Sequence, residues 1–378
     1  MATIRKRSWI TPKGEPREAW RVRYVDNEGK DRTRQFDRKR DADAFRIKAE
    51  SEVAAGVHTP DSMSITVGEA ADLWIAKAES AGRERSTVKQ YREWADLHIK
   101  PLLGSERLSR LTMPKVEAFK DALLETRSAA MAGKAVRGLS SILTEAQRRG
   151  LVAQNVAKGV KVVRSKRDKK RIIIPAKDEL RAMLAAAESD FPAFRPLLMT
   201  VIFTGLRSSE IRALRRQDVN LKVGEITVEQ RADQWGAIGS PKSEAGHRTV
   251  PIPAMLVSEL RAWMLRSPVS PLGLLFPNAA GGVRLHSNLL NREYWPLQVK
   301  AGLTRPGREG EPRAKYDFHS LRHAAASAWI KQRIDLKRLT TWLGHASVQI
   351  TLDTYGHLIK DELGDAAIAA AAQAELLT

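Results

Sequence analysis

Four short segments in the carboxyl-terminal half carry side chains suited to work on an anion. TGLRSSEI (204–211) puts Arg207 at a helix start, with Glu210 three residues on and on the same face. SPKSEAGHRTVPI (240–252) holds Lys242 between two strand-like stretches. HSLRH (319–323) separates His319 from Arg322 by one helical turn. LGHAS (343–347) holds His345, and ten residues later Tyr355 stands in DTYGH (353–357). Guanidinium groups bind phosphate oxygens in fixed fork geometry. Imidazoles exchange protons near neutral pH. A phenol, with a pKa of about 10, becomes a nucleophile only with help. Each segment alone has an ordinary reading: a surface ion pair, a solvated lysine, a structural His–Arg pair, a half-buried tyrosine.

These segments sit in a mixed region starting at about Ile172. Pro175 to Ala187 reads as a capped helix, and Arg195 to Thr204 as a buried helix stopped by Gly205. Glu225–Arg231 and Arg248–Ile252 read as strands joined by a polar, Gly-rich loop, and the rest is mainly helical to the Ala-rich end. Upstream, Leu73, Trp74 and Ala78 mark one helix. Val88, Tyr91, Trp94 and Ala95 mark a second that runs to Pro101. Val116, Phe119 and Leu123 mark a third, and Ser128 to Arg149 a fourth, which together predict an all-α bundle over 65–160. Residues 1–58 predict a three-stranded sheet and a helix: Trp20, Val22 and Tyr24 alternate with Arg21 and Arg23, Arg32 to Phe36 is a return strand, and residues 4–10 supply the third. The fold class is therefore multidomain and mainly α with small β-sheets: 1–58, 65–160 and 172–378.

The chain has 378 residues, 43% hydrophobic and 29% charged, enough for several cores. It has no cysteine, which excludes disulfides, thiolate metal sites and a cysteine nucleophile, and fits a reducing cytoplasm. No apolar stretch is long enough to span a membrane. The net charge is +20, spread as +5 over 1–58, +6 over 59–164 and +9 over the remainder. An excess along the whole length points to nucleic acid, not to one sticky tail. Arg21, Arg23, Arg32 and Arg34 on the amino-terminal sheet could enter a major groove. The basic run containing Lys166, Arg167, Lys169 and Lys170 suits a strap along a phosphate backbone.

Taken together and in this order, the four segments resemble the tyrosine recombinase (phage integrase) family, from about Ile172 to Tyr355. The helical segment is similar to that family's core-binding domain. Residues 1–58 resemble, more loosely, the arm-binding domain of the larger integrases. The resemblance implies a catalytic set of Arg207, Lys242, His319, Arg322, His345 and Tyr355, with Glu210 as a supporting acid beside the first arginine. It implies attack of Tyr355 on a DNA phosphodiester, giving a 3′-phosphotyrosine and a free 5′-hydroxyl. In that scheme Arg207 and Arg322 hold the phosphate oxygens, and His345 hydrogen-bonds the phosphate. Lys242 protonates the leaving 5′-oxygen, and His319 accepts the phenolic proton. His323 could compete with His319 but is expected on another side of the helix.

No metal or other cofactor is expected, since cationic side chains already surround the phosphate. The sequence also has no Gly-x4-Gly-Lys-Ser/Thr loop. The resemblance further implies double-stranded attachment sites of core and arm type, a homotetramer on DNA, and a bending protein and an excisionase as accessory partners. It implies work in the bacterial host cytoplasm, with no membrane partner. The Ala-rich helix from Asp365 to Leu377 could pack on its own domain or on a neighbour. Two departures stand out: His345 occupies a position where some members carry Trp, and Asn155-Val156 replaces a common Asn-Pro. A type IB topoisomerase shares the chemistry, and a non-catalytic DNA-binding regulator shares the scaffold; both alternatives stay open from sequence.

Overall fold

The computed structural model describes residues 2–377 except 13, 28, 55, 57, 62, 164–172, 308–309 and 360–364. Lys166, Arg167, Lys169 and Lys170, expected to contact DNA, lie outside the described residues. The chain forms two compact units, Met1–Lys170 and Arg171–Thr378.

The first unit begins with an antiparallel sheet in the order β1 (Thr3–Ile10), β2 (Pro16–Val25), β3 (Asp31–Phe36), covered by α1 (Lys39–Ala54). Val22, Tyr24, Ala42 and Ala49 make its small core. The register corrects one expectation. Val22 pairs with Arg34 and Tyr24 with Arg32, so these two arginines share the core side of the sheet, because paired residues in a sheet share a face. Arg34 lies over the Phe36 and Phe45 rings and ion-pairs with Asp61 at 3.0 Å, while Arg32 bonds Asp26 at 2.7 Å. Arg21 and Arg23 point the other way, alongside Arg5, which pairs with Arg21 in the register.

Five helices follow, with their own apolar cluster: α2 (Val67–Ser80), α3 (Arg85–Trp94), α4 (Lys100–Leu103), α5 (Met113–Thr126) and α6 (Ala129–Arg148). Thr66 caps α2 through a reciprocal bond with Glu69. Pro101 does not end the second helix as the sequence suggests. A π turn over Ala95–Ile99 widens the helix and carries it into α4, absorbing the missing proline N–H.

The second unit holds α7 (Lys177–Asp190), α8 (Arg195–Thr204) and α9 (Ser208–Ile211). A sheet in the order β4 (Val219–Asn220), β5 (Glu225–Val228), β8 (Arg248–Pro251) follows. The strand expected over Glu225–Arg231 breaks after Val228. Arg231–Ala232 (β6) instead pairs with Ile238–Gly239 (β7), because Asp233 accepts from the Trp235 and Ala237 amides and closes a separate tight hairpin. Then come α10 (Ala254–Arg266), α11 (His286–Asn288), α12 (Trp295–Lys300) and a short ribbon of β9 (Thr304–Pro306) and β10 (Pro312–Ala314). Last are α13 (His319–Lys331), α14 (Leu336–Leu343), α15 (Val348–Tyr355) and α16 (Asp365–Leu377). The core centres on α8, whose residues from Pro196 to Ile202 are all buried. Helix α8 packs on α13, so a rigid apolar rod supports the helix that carries His319 and Arg322. In α16, Leu376 and Leu377 are exposed.

Candidate active site

Arg207 is the N-cap of α9 and follows the left-handed Gly205 (φ +60°) that stops α8. Glu210, 4% exposed, accepts from the Arg207 backbone N–H (2.8 Å) and from Arg207 Nη1 (2.7 Å). Asp317 accepts from the Ser320 amide and hydroxyl at 2.8 Å and fixes the start of α13. That helix turns Arg322 inward, where the guanidinium is almost fully buried. Arg322 Nη1 donates to the Gly205 carbonyl at 2.8 Å, and Nη2 donates to the Leu343 carbonyl.

The end of α14 gathers the cations. Its last carbonyls have no partners within the helix, and its dipole is negative there. Three successive carbonyls take one guanidinium each: Trp342 from Arg248, Leu343 from Arg322 and Gly344 from Arg207. Gly344 is left-handed (φ +62°), and a Cβ there would stand 3.0 Å from Arg248. His345 follows immediately. Its Nδ1 lies 2.9 Å from the Thr351 hydroxyl, which also bonds Thr340, and this fixes the ring.

Tyr355 ends α15 and is 1% exposed. Its hydroxyl lies 2.8 Å from His323 Nδ1, and its ring is nearly parallel to that of His345, with centroids 6.4 Å apart. His323 was expected to point away; instead it stands on the phenol. The reason is helical: His319 and His323 are four residues apart and share a face, with their rings 4.8 Å apart. His319, the residue the sequence favoured for the phenolic proton, sits at the solvent-exposed edge of the cluster.

Arg207, His319, Arg322, His323, His345 and Tyr355 line one open cavity of about 560 Å³. Lys242 does not line it. It lies exposed in the loop before β8, and its neighbour Ser243 reaches the rim. The electrostatics follow from burial and crowded positive charge. Burial, and then Arg322, push His345 down to about 4. Burial and His319 push His323 down to about 4. His319 keeps an edge in solvent, yet the protein atoms crowded around it desolvate the ring and, with the Arg322 guanidinium, lower it as well. Burial and Arg207 lower Arg322. Burial raises the Tyr355 phenol, while Arg322 and Arg207 pull against that rise. Burial alone would raise Glu210, but bonds to Arg248 and the charges of Arg248 and Arg207 hold it at about 2. The cavity is therefore cationic, with neutral imidazoles at neutral pH.

Residues 174–362, half of the chain, match the phage integrase family. The chain belongs to the phage integrase family. It is a tyrosine-type site-specific DNA recombinase, an enzyme that cleaves and rejoins DNA strands. It is 23% identical over 351 residues to a XerC-like tyrosine recombinase of Caldanaerobacter subterraneus subsp. tengcongensis, covering 85% of this chain and 86% of that one. Its fold resembles the Tn1549 transposon integrase solved with circular intermediate DNA (TM-score 0.65, 17% identity, 83% of this chain and all of that one). It also resembles a lambda integrase tetramer bound to a Holliday junction (TM-score 0.60, 21% identity, 94% of this chain and 95% of that one). Among the described residues, no helix of this recombinase is long and apolar enough to cross a membrane.

Sequence reasoning misplaced His323 and passed over Arg248 and Thr351. The i, i+4 spacing from His319 was the available signal for His323. Arg248 carried none, because a strand arginine reads as solvated until its register is known.

Proposed function

We propose that this recombinase integrates or excises a phage or other mobile element through a 3′-phosphotyrosyl intermediate on Tyr355. One observation supports this most: two guanidinium groups, three imidazoles and a phenol from separate elements line a single open cavity. In the proposed step the Tyr355 oxygen bonds to the scissile phosphorus as the bond from phosphorus to the 5′-oxygen breaks. The phenolic proton passes to His323, already 2.8 Å away and neutral at pH 7. The loop before β8 brings Lys242 in to protonate the departing 5′-oxygen. Arg207 and Arg322 hold the non-bridging oxygens, each worth roughly 3–4 kcal/mol in the transition state. His345, its Nδ1 tied to Thr351, offers its other nitrogen to the phosphate, and His319 closes the same side. Tyr355 turns outward from its buried position when a duplex fills the cavity.

Four strand cleavages need four copies of Tyr355, so we infer a homotetramer on DNA. The lambda integrase tetramer on a Holliday junction is the fold relative that favours this. The helical bundle over 65–160 would contact the core site. The sheet over 1–58 would contact a distant arm site through Arg5 and Arg21, paired like charges that favour a polyanion, with Arg23 beside them on the same face and bonded to Asp31 at 2.7 Å. Lys166, Arg167, Lys169 and Lys170 would run along the backbone. A DNA-bending protein and an excisionase would set direction, in the cytoplasm of a bacterial host. The test uses nicked radiolabelled duplexes tiling the DNA on both sides of the gene. Wild type gives a denaturant-resistant protein–DNA band at one junction sequence, and Tyr355→Phe binds that duplex without the band. Bands of equal strength on every duplex, with relaxation of any supercoiled plasmid, would indicate a topoisomerase. Binding with no band would indicate a regulator.

A further inference from the structure

We infer that Arg248 is the positioning residue that frees Arg207 to hold the phosphate. The inference rests on the phosphotyrosyl reading above. Arg248 opens β8, its side chain is 1% exposed, and it does not line the cavity. It nevertheless touches three elements that supply the cavity's groups. Its Nη1 and Nη2 donate to the two oxygens of Glu210 at 3.1 and 2.8 Å. Its Nε donates to the Trp342 carbonyl at 2.8 Å, three residues before His345. Its Nη1 also donates to the Gly246 carbonyl at 3.0 Å, in the loop that carries Lys242.

The balance of charge gives this residue its role. Glu210 is the carboxylate that meets Arg207 and Arg248 together. With Arg248 in place, that carboxylate is matched by a cation with no access to substrate. The Arg207 guanidinium then donates to Glu210 through Nη1 and to the Gly344 carbonyl through Nη2, and is held in the cavity wall with positive charge left over for an incoming anion. Without Arg248, Glu210 keeps Arg207 as its one charged partner among the described residues and draws the guanidinium inward. The Lys242 loop and the turn before His345 lose their shared anchor at the same time. A shift of about 1 Å in such groups costs roughly 100-fold in rate.

The test measures single-turnover formation of the covalent band on the nicked junction duplex, together with duplex affinity and the melting curve. Arg248→Gln should slow band formation about 100-fold while duplex affinity stays within about threefold. The double variant Arg248→Gln/Glu210→Gln should regain at least tenfold over the single one, because the unmatched carboxylate is gone. A merely structural arginine predicts that band formation is lost and regained only in step with the melting temperature. Should Arg248→Gln fail to melt cooperatively, Arg248→Lys takes its place. It keeps the charge but not the fork, and should fall between wild type and the double variant. The inference is overturned if the single variant forms the band at the wild-type rate, or if the double variant is no faster than the single. Absence of any band from wild type would instead defeat the phosphotyrosyl reading itself.

Discussion

Replacing Glu210 by glutamine removes one negative charge from beneath the cavity with almost no change of shape. The carboxylate is 4% exposed and accepts from Arg207 twice and from Arg248 twice. These bonds hold it from an ordinary 4.5 down to about 2. At ~1.4 kcal/mol for each tenfold change in ionisation constant, that contributes roughly 3 kcal/mol of stability at neutral pH. An independent figure agrees: removing one partner of a buried ion pair costs about 3–5 kcal/mol. The folded state binds this proton more weakly than the unfolded state. The stability is therefore complete above about pH 5 and drains as pH falls towards 2. Glu210→Gln should thus be less stable than wild type by roughly 3 kcal/mol at pH 7 and by less than half of that at pH 3. Urea unfolding read by pulsed hydrogen exchange on α8 and α13 peptides separates this unit from the amino-terminal one. A difference below about 1 kcal/mol at pH 7, or one unchanged between pH 7 and pH 3, would refute the reasoning.

Tyr355→Phe removes a hydroxyl whose visible partner is His323, so it should lose covalent capture entirely and only about 1 kcal/mol of stability; a larger loss would show the phenol to be chiefly structural. The His323 and His345 ring signals in NMR should stay constant from pH 5.5 to 8 and move only as pH approaches about 4. A midpoint near 6.5 in the DNA-free protein would contradict the burial seen here. Gly344→Ala places a side chain in a left-handed position against Arg248 and should cost at least about 1–2 kcal/mol, read as a lower melting temperature. Arg5→Gln with Arg21→Gln should lower the salt slope of arm-site binding by about 2, while Arg34→Gln should leave that slope unchanged and loosen the sheet. Equal slopes for the two variants would remove the proposed DNA-facing side of the sheet.

Much of the architecture was legible because it is periodic. The alternation from Trp20 to Tyr24 gives β2, and the apolar run from Arg195 to Thr204 closed by glycine gives α8. Irregular places were less legible. Pro101 reads as a stop, yet a π turn upstream lets the helix continue, because the wider turn needs no amide at that position. Arg32 and Arg34 read as a basic face with Arg21 and Arg23, but facing depends on register, which is a long-range pairing.

The sequence by itself determined which chemistry is present: two guanidinium forks, a lysine between two strands, histidines and a phenol, at spacings on helix starts and turns. Residue type and local period are properties of short stretches of chain, so they can be read without the fold. Only the tertiary structure decided which histidine meets Tyr355, that Glu210 is shared by Arg207 and Arg248, and that three arginines converge on the end of α14. Those facts depend on burial and on contacts between residues far apart in the chain. Desolvation and nearby charge act through space, and the order of residues along the chain does not record them.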